Sequence, residues 1–102
     1  SLVNERVTID LARNVLRDSL NSRVSVITID KIQESVADYF GLRASDLRTK
    51  SNARRITQPR QVAMFLSKKL TNHSLPEIGR AFGGKHHSTV IHSVRKVEYD
   101  CV

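Results

Sequence analysis

Four histidines and one cysteine are the side chains that could bind a transition metal. His86 and His87 are adjacent and His92 follows His87 by five residues, whereas His73 and Cys101 lie farther away. Zinc sites usually space their ligands three or four residues apart on one helix face, or use closely spaced cysteine pairs. Neither spacing occurs among these five residues, and no carboxylate joins His87, His92 and Cys101. We therefore expect no metal and no cofactor in this chain.

Groups for acid–base or nucleophilic catalysis are also sparse. Glu77 is the single acidic residue between Arg48 and Lys96, and its place three residues after Ser74 predicts a helix-capping role. The sequence has no Ser/His/Asp arrangement, no paired carboxylates and no glycine-rich phosphate loop of the GxxxxGKS/T kind. The chain is therefore expected not to be an enzyme.

Positive charge is concentrated in one part of the chain. The net charge of the 102 residues is +7, but residues 48–96 hold eleven basic residues and one acidic residue, a net charge of +10, while the remainder holds six basic and nine acidic residues, a net charge of −3. Each cation that neutralises a phosphate releases condensed counterions and gains affinity, so this polarity favours a nucleic-acid partner over a merely solvated basic face. The eleven cations are Arg48, Lys50, Arg54, Arg55, Arg60, Lys68, Lys69, Arg80, Lys85, Arg95 and Lys96.

Residues 74–84 have the pattern of a short helix followed by a tight turn. Ser74 and Glu77 form a capping box, which satisfies two backbone N–H groups at a helix start. Gly83 and Gly84 permit the positive φ angles of a tight turn. The side chains expected to face inward are those of Leu75, Ile78 and Phe82.

A second helix is predicted from about His86 to Tyr99, which completes a helix-turn-helix. Its inward side is expected to carry Val90, Val94 and Val97. Short hydrogen-bonding side chains at its start and cations farther along suit a recognition helix in the major groove. The residues expected on its outer side and exposed first turn are His86, His87, Ser88, Thr89, His92, Arg95 and Tyr99.

The remaining apolar periodicity predicts only helices, so the fold class is all-α, a small helical bundle containing the helix-turn-helix and preceded by a linker helix. Thr8 is the predicted N-cap of the first helix, Thr28 and Gly41 bound the second, and Ser45 caps a short turn. We expect a basic loop over residues 48–55, and Arg60, Lys68 and Lys69 on the outer face of the following helix. The predicted helices are 8–20, with the apolar stripe Ile9, Ala12, Leu16 and Leu20, then 28–40, 44–47 and 57–70, whose core stripe is Val62, Ala63, Leu66 and Leu70.

Three sequence blocks cover residues 60–64, 70–79 and 82–90, and they begin Arg60-Gln61, Leu70-Thr71 and Phe82-Gly83. They resemble the C-terminal DNA-binding domain of the DnaA family of bacterial replication initiators, and the resemblance extends over residues 27–98. It implies a domain over residues 25–102, with residues 1–24 forming a linker helix and the end of a preceding AAA+ lid. The chain would then be a fragment, and ATP and Mg²⁺ would bind only to the full-length parent.

The resemblance implies binding to short repeated boxes in the replication origin. His86, His87 and Ser88 would read bases in the major groove, and Pro76 would touch a thymine methyl group. Lys50, Lys85 and Lys96 are expected to add phosphate contacts. The family positions that hold the DNA backbone correspond to Arg60, Gln61, Lys68, Thr71, Asn72, Ser74, Leu75 and Thr89.

Two positions depart from the family pattern. His86 stands where the family has an acidic residue, so the identity of the base that it contacts is left open. Asn52 stands where the family has an arginine that enters the minor groove. We expect Arg54 or Arg55 to supply that contact, because a narrow A·T-rich groove favours a guanidinium. The alternative is that Asn52 donates from its amide while both arginines bind phosphate.

Two other functions are compatible with parts of the sequence. A helix-turn-helix transcriptional regulator would be expected to dimerise on palindromic sites, whereas we see no dimerisation stripe and expect a monomer. A membrane-surface module would use residues 8–20, whose polar face is nearly neutral. In the full-length parent we expect oligomerisation on DNA, acidic phospholipid contact by the linker helix, and a cytoplasmic, nucleoid-associated location.

Overall fold

Five α-helices and one 3-10 helix make up the architecture in the computed structural model, which describes residues 2–21, 26–51 and 53–100. No strand occurs within these ranges, as expected for an all-α domain. None of the helices described is both long and apolar enough to cross a bilayer. The helices are α1 (Leu2–Asn21), α2 (Ile29–Phe40), α3 (Arg54–Leu70), α4 (Leu75–Ala81) and α5 (His87–Asp100), with the 3-10 helix at Ala44–Arg48 between α2 and α3.

Local signals set both ends of α2, as predicted. The Thr28 hydroxyl accepts a hydrogen bond from the Lys31 N–H at 3.2 Å, and Asp30 lies in the first turn, where a carboxylate favours the helix dipole. Ile32 is fully buried. Gly41 ends the helix in the left-handed conformation, at φ 70°.

The core is a single cluster to which every helix contributes. It lies where α3 crosses α2 and α5, and Phe82, just after α4, is its largest fully buried side chain. Burial of this apolar surface is the main term that holds the helix-turn-helix against the other helices. Its members include Leu11, Ile32, Val36, Leu47, Val62, Met64, Leu66, Ile78, Phe82, Val90 and Val97.

The predicted start and buried face of α1 were both wrong. The helix begins at Leu2, so Thr8 lies inside it and is not the N-cap. Leu11 is buried with 0% exposure, whereas Ile9 is 44% exposed and Leu20 is 86% exposed. The buried stripe is shifted from the predicted one by one residue, which is a rotation of about 100° around the helix axis. It includes Thr8 and Ser19, whose small polar side chains the apolar pattern did not count.

Two other predicted boundaries also require correction. The 3-10 helix follows Arg43 rather than a Ser45 cap, because the Asp46 carboxylate accepts the Arg43 N–H at 3.0 Å. Helix α3 begins at Arg54, three residues before the predicted start at Thr57. The basic loop therefore ends at residue 53, and the two arginines at 54 and 55 belong to the first turn of α3.

Candidate nucleic-acid interface

The capping box and glycine turn predicted between α4 and α5 are both present. The Ser74 hydroxyl accepts the Glu77 N–H at 3.4 Å, and the Glu77 carboxylate accepts the Ser74 N–H at 3.1 Å. Gly83 and Gly84 have φ angles of 87° and 76°, which side chains with a Cβ rarely adopt. These local features start α4 and reverse the chain before α5.

Gly79 determines how closely α4 approaches the segment before α5, and our sequence reasoning did not identify this role. A Cβ at this position would lie 2.2 Å from the Lys85 carbonyl oxygen and 3.5 Å from the Val90 side chain. The Lys85 N–H also donates to the Gly79 carbonyl at 2.8 Å. A glycine inside a short helix is less stable than an alanine there. Its presence in α4 was therefore a sequence signal that another part of the backbone approaches closely.

Helix α5 has the two faces that the sequence predicted. Val90 and Val97 are buried in the core, and Ser93 is buried beside them. The opposite side is polar and open to solvent. The exposed residues there are His87, Ser88, Thr89, His92, Arg95 and Tyr99.

His86 occupies the N-cap position of α5. Its carbonyl accepts the Thr89 N–H at 2.9 Å, and its Nδ1 accepts the Ser88 N–H at 3.2 Å. The imidazole therefore takes the place of the Asp or Ser side chain that usually caps a helix. The rings of His86 and His87 lie 4.2 Å apart between centroids, tilted by 34°. Both rings are exposed at the start of α5.

His73 lies apart from this pair and has a different partner. Its Nδ1 lies 3.0 Å from Glu77 Oε2. The His73 hydrogen bond, followed by those from Ser74, lowers the pKa of the Glu77 carboxyl to about 2. Within the described ranges no three His, Cys, Asp or Glu side chains are grouped to hold a metal ion.

Arg60 is buried, although the sequence predicted it on the outer face of α3. It is 6% exposed, and its Nη1 donates to the carbonyls of Thr49 at 3.1 Å and Ser51 at 3.0 Å. Burial lowers the pKa of the Arg60 guanidinium. Arg60 is buried because the loop directly before α3 folds back over its side chain and supplies two backbone acceptors.

Lys50, Arg60 and Lys85 form a cationic cluster. Lys50 lies between the two residues whose carbonyls bind Arg60. Burial lowers the pKa of the Lys85 amine, and repulsion from Arg60 and Lys50 lowers it further. None of the three forms an ion pair with a residue that the structure describes. An anion placed among them would relieve their repulsion.

A buried glutamine links the basic loop to the helix-turn-helix, and this network was also missed. Arg48 Nε donates to Gln33 Oε1 at 2.8 Å, and Gln33 Nε2 donates to the Ala81 carbonyl at 2.9 Å. Arg48 also pairs with Asp30 at 3.5 Å. A Cβ on Gly83 would lie 2.1 Å from the Arg48 carbonyl oxygen. A polar residue within the apolar stripe of α2 was the only sequence signal of this connection.

The other residues predicted to contact DNA are distributed over the loop, α3, α4 and α5. Pro76 is exposed in the first turn of α4, and Leu75 packs against the core. Arg54, Gln61 and Lys96 line one cleft between α3 and α5. Asn52 lies outside the described residues. Other exposed candidates are Lys50, Arg55, Lys68, Asn72 and Ser74, and Thr71 and Lys85 are half-buried.

The sequence of these helices matches the model of one protein family. The sequence profile described as the bacterial dnaA protein helix-turn-helix matches residues 29–97. The match runs from the start of α2 to the buried Val97 of α5 and covers more than half of the chain. It includes the capping box, the glycine turn and the exposed start of α5.

Proposed function

The chain belongs to the family of bacterial DnaA helix-turn-helix domains, a DNA-binding family, and from this we propose that it binds short repeated boxes of duplex DNA in a replication origin. The exposed, hydrogen-bonding start of α5 carries this proposal. Cations surround it on the loop, α3 and the turn before α5. This combination suits base readout flanked by phosphate contacts.

We propose that the reading and positioning roles fall on different residues. His86, His87 and Ser88 read bases from the start of α5, and Pro76 contacts a thymine methyl group. Lys50, Lys68, Lys85 and Lys96 bind phosphates. These phosphate contacts fix the position of the protein on DNA without carrying sequence information.

The cationic cluster gives Arg60 an indirect part in this function. Its Nη1 is engaged by two loop carbonyls, so we propose that Arg60 holds Lys50 in place beside Lys85. A backbone phosphate would bind between the two lysines. Arg60 would then support phosphate binding mainly by shaping the loop.

We propose that Arg54 or Arg55 is the residue that enters the minor groove. Both are exposed in the first turn of α3. A guanidinium there suits a narrow A·T-rich groove. The competing assignment is Asn52, whose amide could donate to minor-groove acceptors.

Selection from random duplexes tests the proposed function directly. The purified chain should enrich one short sequence, and a fluorescence-anisotropy titration should show tighter binding to it than to a scrambled duplex of equal length and composition. Binding of both duplexes with equal affinity would contradict sequence-specific recognition. We propose that this chain does not hydrolyse ATP, and measurable turnover by it would contradict that part.

A further inference from the structure

The imidazole of His86 is held by its own helix, which determines the nitrogen that can meet DNA. Its Nδ1 accepts the Ser88 backbone N–H at 3.2 Å. A backbone N–H can only donate, so Nδ1 must present a lone pair, and the neutral ring then carries its proton on Nε2. The two nitrogens flank Cε1 and face different directions. His86 therefore presents an N–H donor away from the helix end.

Two further contacts restrain the His86 ring and its backbone. The His86 carbonyl accepts the Thr89 N–H at 2.9 Å, which fixes the backbone of the cap, and the His87 ring lies 4.2 Å away. The imidazole remains exposed despite these contacts. A donor held in a set direction at the start of α5 can discriminate between bases, because it loses little side-chain freedom on binding.

We propose that His86 is a specificity-determining residue that selects a base with a major-groove acceptor, guanine foremost, and rejects cytosine. The proposal rests on the proposed function, since it requires the start of α5 to lie in the major groove. Guanine presents O6 and N7 as acceptors, whereas cytosine presents only its N4 amino donor. An acidic residue in this position would accept from cytosine and would have the opposite preference.

The tautomer can be measured without DNA. Long-range ¹H–¹⁵N correlation on the neutral imidazole should show a lone pair on Nδ1 of His86 and a proton on Nε2. His86→Ala identifies the resonances. A proton on Nδ1 would overturn the inference, because the cap would then be absent and the outward nitrogen would be an acceptor.

The base preference is tested with His86→Asp, because aspartate is a good N-cap and only accepts. The selected box is altered to all four base pairs at each position, and binding is measured for both proteins. The unsubstituted chain should prefer guanine to cytosine at one position by about tenfold, which corresponds to about 1.4 kcal/mol, and His86→Asp should reverse that preference. Circular dichroism should show equal helix content.

His86→Asn is the matched control, because its amide can cap through oxygen while still offering an N–H donor. It should keep the preference for guanine. If the unsubstituted chain selects a box but His86→Asp has the same preference at every position, the inference fails and the proposed function stands. If the unsubstituted chain selects no box, the proposed function fails, and the inference fails with it.

Discussion

At the scale of single residues, hydroxyl groups near α4 and α5 differ in what they already bind. The Ser74 hydroxyl donates to Glu77 at 2.9 Å, and the Thr71 hydroxyl donates to a backbone carbonyl of α3. Neither the Ser88 nor the Thr89 hydroxyl bonds to another residue that the structure describes. The polar groups that start α4 therefore serve the fold, while those that start α5 remain available to DNA.

Arg60 should matter for stability as well as for binding. Arg60→Leu removes the donor for the carbonyls of Thr49 and Ser51, and an unsatisfied buried acceptor costs about 1–3 kcal/mol. We expect the free energy of unfolding in urea to fall by an amount in that range, with weaker DNA binding. Lys68→Leu, at an exposed position of the same helix, is the control. Equal stability of the two variants would contradict the anchoring role.

The capping box should respond to acid in a defined range. The pKa of Glu77 is lowered from 4.5 to about 2, so the carboxylate stabilises the fold fully above pH 4.5, and this contribution is lost as the pH falls to about 2. Glu77→Gln should therefore be less stable than the unsubstituted chain at neutral pH, and the difference should vanish near pH 2. Thermal unfolding followed by circular dichroism measures this difference. A constant difference across the range would contradict the assignment.

At the scale of elements, the ends of α2, the start of α4 and the turn after it were predicted correctly from local signals. The hydroxyl of Thr28, the capping box of α4 and the glycines at 83 and 84 act within a few residues of chain. The buried face of α1 depends on helices distant in sequence, and the burial of Arg60 depends on how the loop before α3 folds back over it. Periodicity alone therefore placed both wrongly. The exposed start of α5 could be predicted, whereas the His86 cap could not, because imidazole is an uncommon N-cap.

Gly79 should be essential to the packing of α4. Alanine is the better helix former by about 1 kcal/mol, but its Cβ would collide with the Lys85 carbonyl. We expect Gly79→Ala to destabilise the fold despite its higher helix propensity, and to weaken DNA binding by moving α5. Arg80→Ala, at the neighbouring exposed position, should change stability little. A Gly79→Ala variant more stable than the unsubstituted chain would show that the close approach is not required.

At the scale of the whole molecule, we expect the cations of residues 48–96 to carry the long-range attraction to DNA. The logarithm of the binding constant should fall with the logarithm of salt concentration, by about 0.9 for each phosphate neutralised. Lys68→Ala should make that slope shallower by the amount expected for one phosphate contact. Arg13 is exposed on α1, and Arg13→Ala should leave the slope unchanged. A slope near zero, or equal effects of both variants, would contradict the proposed charge distribution on the binding face.

The central claim is that the start of α5 reads sequence in the major groove, while phosphate-binding cations such as Lys68 hold the DNA backbone. The most direct test measures binding of the selected box and its scrambled counterpart by Ser88→Ala, His87→Ala and Lys68→Ala at fixed salt concentration. The first two should lose about 1–3 kcal/mol of discrimination each, and Lys68→Ala should weaken both duplexes equally while keeping discrimination intact. Equal loss of discrimination in all three variants would contradict the account.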